Sequence, residues 1–400
     1  MASHDRPSRR DNFQIAIICA LPLEYNAVSL LFDEFWDEDS EPYGRAPGDV
    51  NCYTTGRIGK HNIVLALLPN MGKAAAAGAA TSIRSSYPGL KLAFLVGVCG
   101  GTPTIGANEA LLGDVVISQS VIQHDFGRQY TNKFVPKDTV EDRLGRPNKD
   151  IRSLIASFET ELGRERLEQK AAKYLEGLQS TAASKRRRCD YRYPGPADDK
   201  LFAATYRHKH RGPLPCESCN GESESFCDEA AKAFCAELQC HEGRLVARKR
   251  LEAKRNLEPR EAQRPEIFIG RIASGDTVMK SGEHRDKIAD QYDVIAFEME
   301  GAGVWDEIPC LIVKGICDYA DSHKSKVWQP FAAATAAAVT RAILERYALT
   351  DTSPSSGRST GEFVQPLQLR APILILRQTG KMAAVELSSS PISKKQYRSL

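Results

Sequence analysis

Leu92-Ala-Phe-Leu-Val-Gly-Val-Cys-Gly-Gly101 is an apolar run of strand length that ends in a cluster of glycines. Its residues do not alternate with polar ones, so both faces of the strand are expected to be covered, as in a sheet between helical layers. The same grammar repeats outward from it. Upstream, Phe13–Ala20 is a buried strand, and Cys52–Ile58 and Asn62–Leu68 form a hairpin through the Gly59-Lys60 turn. Downstream come Asp114–Ser120, Ile267–Ile272, Tyr292–Phe297 and Pro309–Ile316. Helical patterns lie between them. Glu24–Phe35 repeats Ala27, Leu30, Leu31 and Phe35 at helical spacing, Gly72–Tyr87 is Ala-rich and stops at Pro88-Gly89, and Gln329–Tyr347 contains Ala332–Ala338. Strands alternating with helices predict an α/β fold.

The 400 residues suffice for one large domain. Hydrophobic residues are 42% and charged residues 26%, ordinary globular usage that excludes collagen, coiled coil and wholesale disorder. A net charge of +3 from 54 basic and 51 acidic residues points to neither nucleic acid nor a membrane surface. The local basic runs Lys185–Arg188 and Arg244–Arg255 read as solvated loop. Met1–Asp11 has no apolar segment behind it, and no apolar run reaches the length of a membrane span. The default address is therefore cytoplasmic, with the nucleus as the alternative. Eleven cysteines are then expected reduced. Cys19, Cys99, Cys310 and Cys317, in apolar strands, read as inert buried thiols.

Between about Leu162 and Pro265 hydrophobic strands vanish and charged helical stretches surround a Cys-, Ser- and Glu-rich patch. This predicts one domain over residues 12–348, interrupted by an insertion at 163–265 that runs over the surface and is partly disordered. Residues 349–400, rich in Ser, Thr, Pro, Gly and Arg, are expected to be a disordered tail, with a weakly docking segment at Ile373–Leu376. Inside the insertion, Cys216-x-x-Cys219 is followed by Cys227, Cys235, Cys240 and His241. Such spacing has two readings, a structural zinc held by Cys216, Cys219, Cys227 and Cys235 or a set of reduced surface thiols, since no second Cys-x-x-Cys knuckle completes it.

Three features at strand ends carry chemistry, where open α/β sheets place their ligands. Glu24 follows the first strand. Alone it reads as an acid in a helix's first turn; facing a cleft, it is a base toward water. The turn Gly97–Gly101 lets a ligand approach the backbone, although alone it reads as a tight connection. The decisive feature is the pair Ala296-Phe-Glu-Met-Glu-Gly301 and Lys314-Gly-Ile-Cys-Asp-Tyr-Ala-Asp321. Glu298 and Glu300, separated by one apolar residue after an apolar run, share a face of the strand, and burying both is costly unless donors satisfy them. Vicinal sugar hydroxyls are such donors. Asp318, ending another apolar strand, is placed to protonate a leaving group.

With these residues in view, the chain resembles the nucleoside phosphorylase-I superfamily, which includes purine nucleoside phosphorylases, uridine phosphorylases and methylthioadenosine nucleosidases; the likeness is greatest to its fungal branch. The resemblance runs over Phe13–Gly163 and Ile267–Tyr347 and is most specific at Ala20–Glu24, Gly97–Gly101, Ser274–Met279, Phe297–Gly301 and Lys314–Pro330. It implies a three-layer α/β/α sandwich around a mixed sheet and an enzyme acting on a purine nucleoside. By resemblance, Glu300 takes the ribose hydroxyls over Met299, and Asp318 protonates the purine. Glu24 activates water, Gly100 and Val98 border the ligand, and Val278 and Met279 bracket the base. Lys314 stands where nucleosidases carry an arginine near the water. Glu298 reads as a structural carboxylate. The resemblance further implies a homo-oligomer, a dimer or larger, and no cofactor for catalysis.

Departures bear on the nucleophile. Phosphorylases of the superfamily usually carry an arginine and a serine where this chain has Leu95 and Val98, and the first turn lacks their Gly-Asp-Pro pattern. A dianionic phosphate needs cations or aligned N–H donors, so water is favoured and hydrolysis leads. Phosphate as a co-substrate remains open through Arg57, His124 or Arg128, from a loop or a partner subunit. A nucleoside sensor without turnover is the third reading, against which stand Glu24, Glu300 and Asp318 together.

Overall fold

In the computed structural model, residues 6–37, 43–212, 216–220 and 226–348 are described. The expected tail at 349–400, with its docking segment, lies outside the described residues. The main sheet has nine strands, β1 Ile15–Cys19, β2 Glu34–Phe35, β3 Tyr53–Ile58, β4 His61–Leu67, β5 Leu92–Gly101, β6 Val115–Gln123, β7 Ile267–Ser274, β8 Val294–Glu298 and β9 Cys310–Asp318. Their order is β8-β7-β6-β9-β5-β1-β4-β3-β2. The sheet is mixed: β1, β4, β5 and β9 run parallel, while β6 is antiparallel to β9. It also curls back on itself, because β8 pairs antiparallel with β5, Ala296 opposite Gly101 and Phe297 opposite Gly100.

The helices that cover it are α1 Pro22–Ser29, α2 Lys73–Ser86, α3 Lys149–Glu159, α4 Glu161–Ser184, α5 Gly282–Tyr292, α6 Gly301–Trp305 and α7 Gln329–Arg346. Alternation along β9 assigns two faces. A Cβ on Gly315 would lie 2.0 Å from the carbonyl oxygen of Ala332, so that face meets α7. Ile312, of opposite parity, meets Gly301 at the start of α6. Helices α1, α4 and α7 pack together on one side, and α6 packs with α2 on the other. The alanine run of α7 lets it lie close to the strands; it is buried almost all round, under α1 and α4. Among the described residues no helix is long and apolar enough to cross a membrane.

Two expectations are revised. The helix expected over Glu24–Phe35 ends at Ser29, and Glu34–Phe35 is an edge strand beside β3. Asp33 and Glu34 are drawn there by Arg57, whose carbonyl takes the Asp33 N–H at 2.8 Å. The stretch 163–265, expected to run over the surface, begins with a helix of the core. Leu167, Ala171, Leu175 and Leu178 of α4 form one buried stripe against α7, while its other face is charged. Average composition concealed that stripe.

Candidate active site

Glu24 stands in the first turn of α1, where Pro22 occupies the first helical position and fixes the bend out of β1. Its carboxylate turns back on the backbone. The N–H groups of Ala20 and Leu21 donate to Oε2, each at 2.9 Å, and the N–H of Val98 donates to Oε1 at 2.8 Å. Gly97 makes this approach available, since a Cβ there would lie 2.2 Å from Oε1. The residue is buried, and burial pushes its carboxyl above the usual range against the pull of Lys314 and the N–H donors.

Glu298, at the end of β8, accepts the N–H of Glu300 at 3.0 Å and that of Gly301 at 2.8 Å, the start of α6. Its carboxylate is thus spent on holding the turn that carries Met299 and Glu300, and burial raises its pKa. Glu300 meets the Lys314 Nζ at 3.2 Å. Burial alone draws the Lys314 ammonium down, but Glu300, Glu24 and Glu298 outweigh it and hold its pKa above the ordinary value. Lys314, expected beside substrate, lies under the cleft floor as the common counter-ion of three carboxylates and is absent from the lining.

Asp318 ends β9 in a tight turn. Its Oδ1 accepts the Ala320 N–H at 2.8 Å and the Lys324 ammonium at 3.0 Å. Ala320 has φ +52°, the left-handed region that non-glycine residues avoid. Gly100 permits this turn, because a Cβ there would lie 2.9 Å from Asp318 Oδ1.

These strand ends converge on one cleft of about 250 Å³. Glu24, Val98, Gly100, Val278, Met279, Met299, Glu300 and Asp318 all line it. Sequence reading passed over Met71, Phe297 and Lys324, which line it too. It also passed over the device that positions the 275–279 loop. Lys73 Nζ binds Asp125 at 2.6 Å, Asp276 N–H donates to Asp125 at 2.7 Å, and Asp276 accepts the Lys73 N–H at 2.8 Å. Only the Lys324 position, six residues past a strand-terminal acid, carried any local signal.

The cleft is anionic. Four carboxylates, Glu24, Glu298, Glu300 and Asp318, face two ammonium groups, those of Lys314 and Lys324, each already paired. The three residues considered for an anion site do not line it. Arg57 sits at the far sheet edge with Asp33 and Glu34. His124 is buried against Phe297, and burial lowers its pKa. Arg128 is exposed on the ribbon Gly127–Tyr130. The four cysteines grouped for zinc also separate. Cys216, Cys219 and Cys227 gather with His210, whereas Cys235 lies with His208 and Cys240. His241 accepts the N–H of Gly243 instead.

A buried acid that accepts three backbone N–H groups, an acid paired with a buried ammonium and a third acid beside a left-handed turn give the cleft groups that can accept hydroxyl hydrogen bonds and move protons. Residues 14–187 match a family model described as the phosphorylase superfamily. A nucleotide-binding leucine-rich repeat (NLR)-like protein of Hyaloscypha variabilis is 31% identical over 347 residues, which is 85% of this chain and 30% of that protein. A 5'-methylthioadenosine/S-adenosylhomocysteine nucleosidase of Mycobacterium bovis is 29% identical over 140 residues, 33% of this chain and 49% of that protein. The chain therefore spans under a third of the first relative and about half of the second. The crystal structure of a Helicobacter pylori nucleosidase of the same name superposes with TM-score 0.45 at 16% identity, covering 84% of this chain and 99% of that one.

Proposed function

We propose that this chain, whose residues 14–187 match the phosphorylase superfamily, cleaves the N-glycosidic bond of a purine nucleoside with water as nucleophile. One observation carries the choice of water: the N–H of Val98, in the glycine turn where an anion would dock, is already spent on Glu24. The unpaired charge of the cleft is negative, so a phosphate dianion would be repelled rather than held. The mycobacterial relative bears the name of a nucleosidase, which agrees with this reading.

In the mechanism, Glu300 accepts hydrogen bonds from the ribose hydroxyls, and the Lys314 ammonium at 3.2 Å fixes its position. Met299 and Met279 supply apolar contact to sugar and base. Water attacks C1′ while the C1′–N bond breaks; its proton goes to Glu24, and the bond's electron pair leaves with the base. Asp318 supplies the proton that neutralises the departing purine. Lys324, 3.0 Å from Asp318, fixes the position of that carboxyl group at the mouth of the cleft. Holding the sugar cation between Glu300 and Glu24 stabilises the oxocarbenium-like transition state.

The test is base release from adenosine, inosine, guanosine and methylthioadenosine, with and without phosphate. Release of base and free ribose in phosphate-free buffer is expected. Glu24→Gln should lower kcat by about 10²- to 10⁴-fold while nucleoside binding persists. Strict dependence on phosphate, with ribose 1-phosphate as product, overturns the choice of water. Binding without any turnover overturns the enzyme in favour of a sensor.

A further inference from the structure

We propose that His210, Cys216, Cys219 and Cys227 form a structural zinc site that fastens the 206–244 segment beside the active-site turn. The described residues of the segment bury little apolar surface among themselves. Its described elements are the single-turn helices Glu217–Asn220 and Asp228–Lys232 and the 3-10 turn Glu242–Arg244. Among the described residues its apolar centre is Cys219, Ala230 and Leu238, with Cys216, Cys227, Ala233 and Cys240 packed against them. Cores of that size need a staple.

The four ligand atoms lie within 4.8 Å of one another. Cys216 Sγ and Cys227 Sγ are 3.9 Å apart, and His210 Nδ1 is 3.4 Å from Cys219 Sγ and 3.8 Å from Cys227 Sγ. A tetrahedral zinc with ordinary Zn–S and Zn–N bonds sets its sulfurs about 3.8 Å apart and sulfur from nitrogen about 3.6 Å. The spacing is that of the edges of such a tetrahedron. It is far beyond a disulfide bond of about 2.05 Å, and a disulfide would not call in an imidazole. Second contacts fit a thiolate set. The N–H of Ala230 donates to Cys227 Sγ at 3.5 Å, and Lys209 binds the Cys219 carbonyl at 3.5 Å, placing a cation beside a site of net negative charge. Three soft sulfurs and one imidazole select zinc over harder divalent ions.

The neighbouring group His208, Cys235 and Cys240 does not qualify. It has three donors, and the Arg211 guanidinium already donates to Cys240 Sγ at 3.6 Å, a cation where a second dication would sit. It serves as the internal control. The knuckle also reaches the catalytic turn. The ring of His323, between Asp318 and the paired Lys324 in one loop, stacks on Phe202 at 4.2 Å and Tyr206 at 5.5 Å and meets His208 edge-on at 4.9 Å.

Metal analysis of the purified full chain should find one zinc per chain. Cys219→Ser and His210→Ala should each lose it, and Cys240→Ser should keep it. Should the site variants fail to fold, cobalt exchange into the native chain still decides. Intense thiolate-to-cobalt charge transfer with tetrahedral ligand-field bands is expected. No zinc, two zincs per chain, zinc lost in Cys240→Ser, or only weak octahedral cobalt absorption overturns the assignment. None of these readouts depends on nucleoside turnover.

Discussion

Lys314 has 1% of its side chain exposed and sits among Glu300, Glu24 and Glu298. A buried cation survives only through such partners, and the partners survive only through it. Lys314→Met removes the cation and leaves buried carboxylates without compensation, so about 3–5 kcal/mol of stability should go. The loss carries a pH signature. Burial already raises the pKa of Glu24 and Glu298, and without Lys314 these values rise further. An acid whose folded pKa is raised contributes stability below its unfolded pKa and loses that contribution as pH climbs through the folded one. The variant's deficit is therefore smallest in acid and grows toward neutrality. Urea unfolding of both proteins at about pH 5 and about pH 7.5 measures it, and a deficit equal at both pH values contradicts the counter-ion role. The same raised pKa governs rate. Glu24 must be ionised to accept a proton from water, so the acid limb of kcat should lie above the ordinary carboxylate range and vanish in Glu24→Gln.

At the scale of elements, the turn after β9 depends on residues remote in sequence. Tyr319, next to Asp318, donates to Asp199 Oδ1 at 2.8 Å, and Arg248 binds the same carboxylate at 2.7 Å, all of it buried. Arg285 adds a hydrogen bond to the Tyr319 carbonyl at 2.7 Å. These contacts hold Ala320 in its left-handed conformation, a strain that persists only where the surroundings overdetermine it. Arg248→Ala strands the buried Asp199 charge and should cost about 3–5 kcal/mol. It should also lower kcat/KM by roughly 10- to 100-fold through a displaced Asp318. Thermal unfolding and steady-state kinetics report the two effects, and a variant that loses stability alone removes the turn from the argument. The inner strands were legible in sequence because most are short apolar runs between breakers, whereas β2 lay inside a helical pattern; that Glu24, Glu300 and Asp318 stand just past such runs was legible too, while their roles rested on the family resemblance. The closure of β8 on β5 was not legible, since a non-local pairing leaves no periodicity. Nor was the burial of Lys314, which depends on three acids from two other strand ends, or the choice of His210, which precedes the first cysteine instead of following the last. The apolar stripe of α4 was present in the sequence but outweighed by the charge of its outer face.

For the whole molecule, the long charged stretch between α3 and β7 divides into a part that belongs to the fold and a part that leans on it. Helix α4 covers α7, Arg248 binds Asp199, and Arg250 binds Asp114 through Nη2 at 2.7 Å; Glu109 accepts the N–H groups of Lys249 and Arg250 at 2.9 and 2.7 Å. Between these anchors, Phe202 and Leu245 form an isolated antiparallel bridge, so the chain ends on either side of the knuckle already lie together. Excision of residues 203–244, joined by a short Gly-Ser linker, should give a folded chain with unchanged far-UV helix per residue from α1 to α7 and no zinc. Its Tm should fall by only a few degrees, since little apolar surface is lost. The rings of Tyr206 and His208 would no longer cover His323, so the loop carrying Asp318 and Lys324 should loosen and raise KM by roughly tenfold. Excision of 163–265 removes α4 and uncovers the apolar face of α7, and that chain should aggregate. Calorimetry, light scattering and KM for the two deletions separate the outcomes: equal collapse of both would make the knuckle part of the core, and an unchanged KM in the shorter deletion would detach it from the active site.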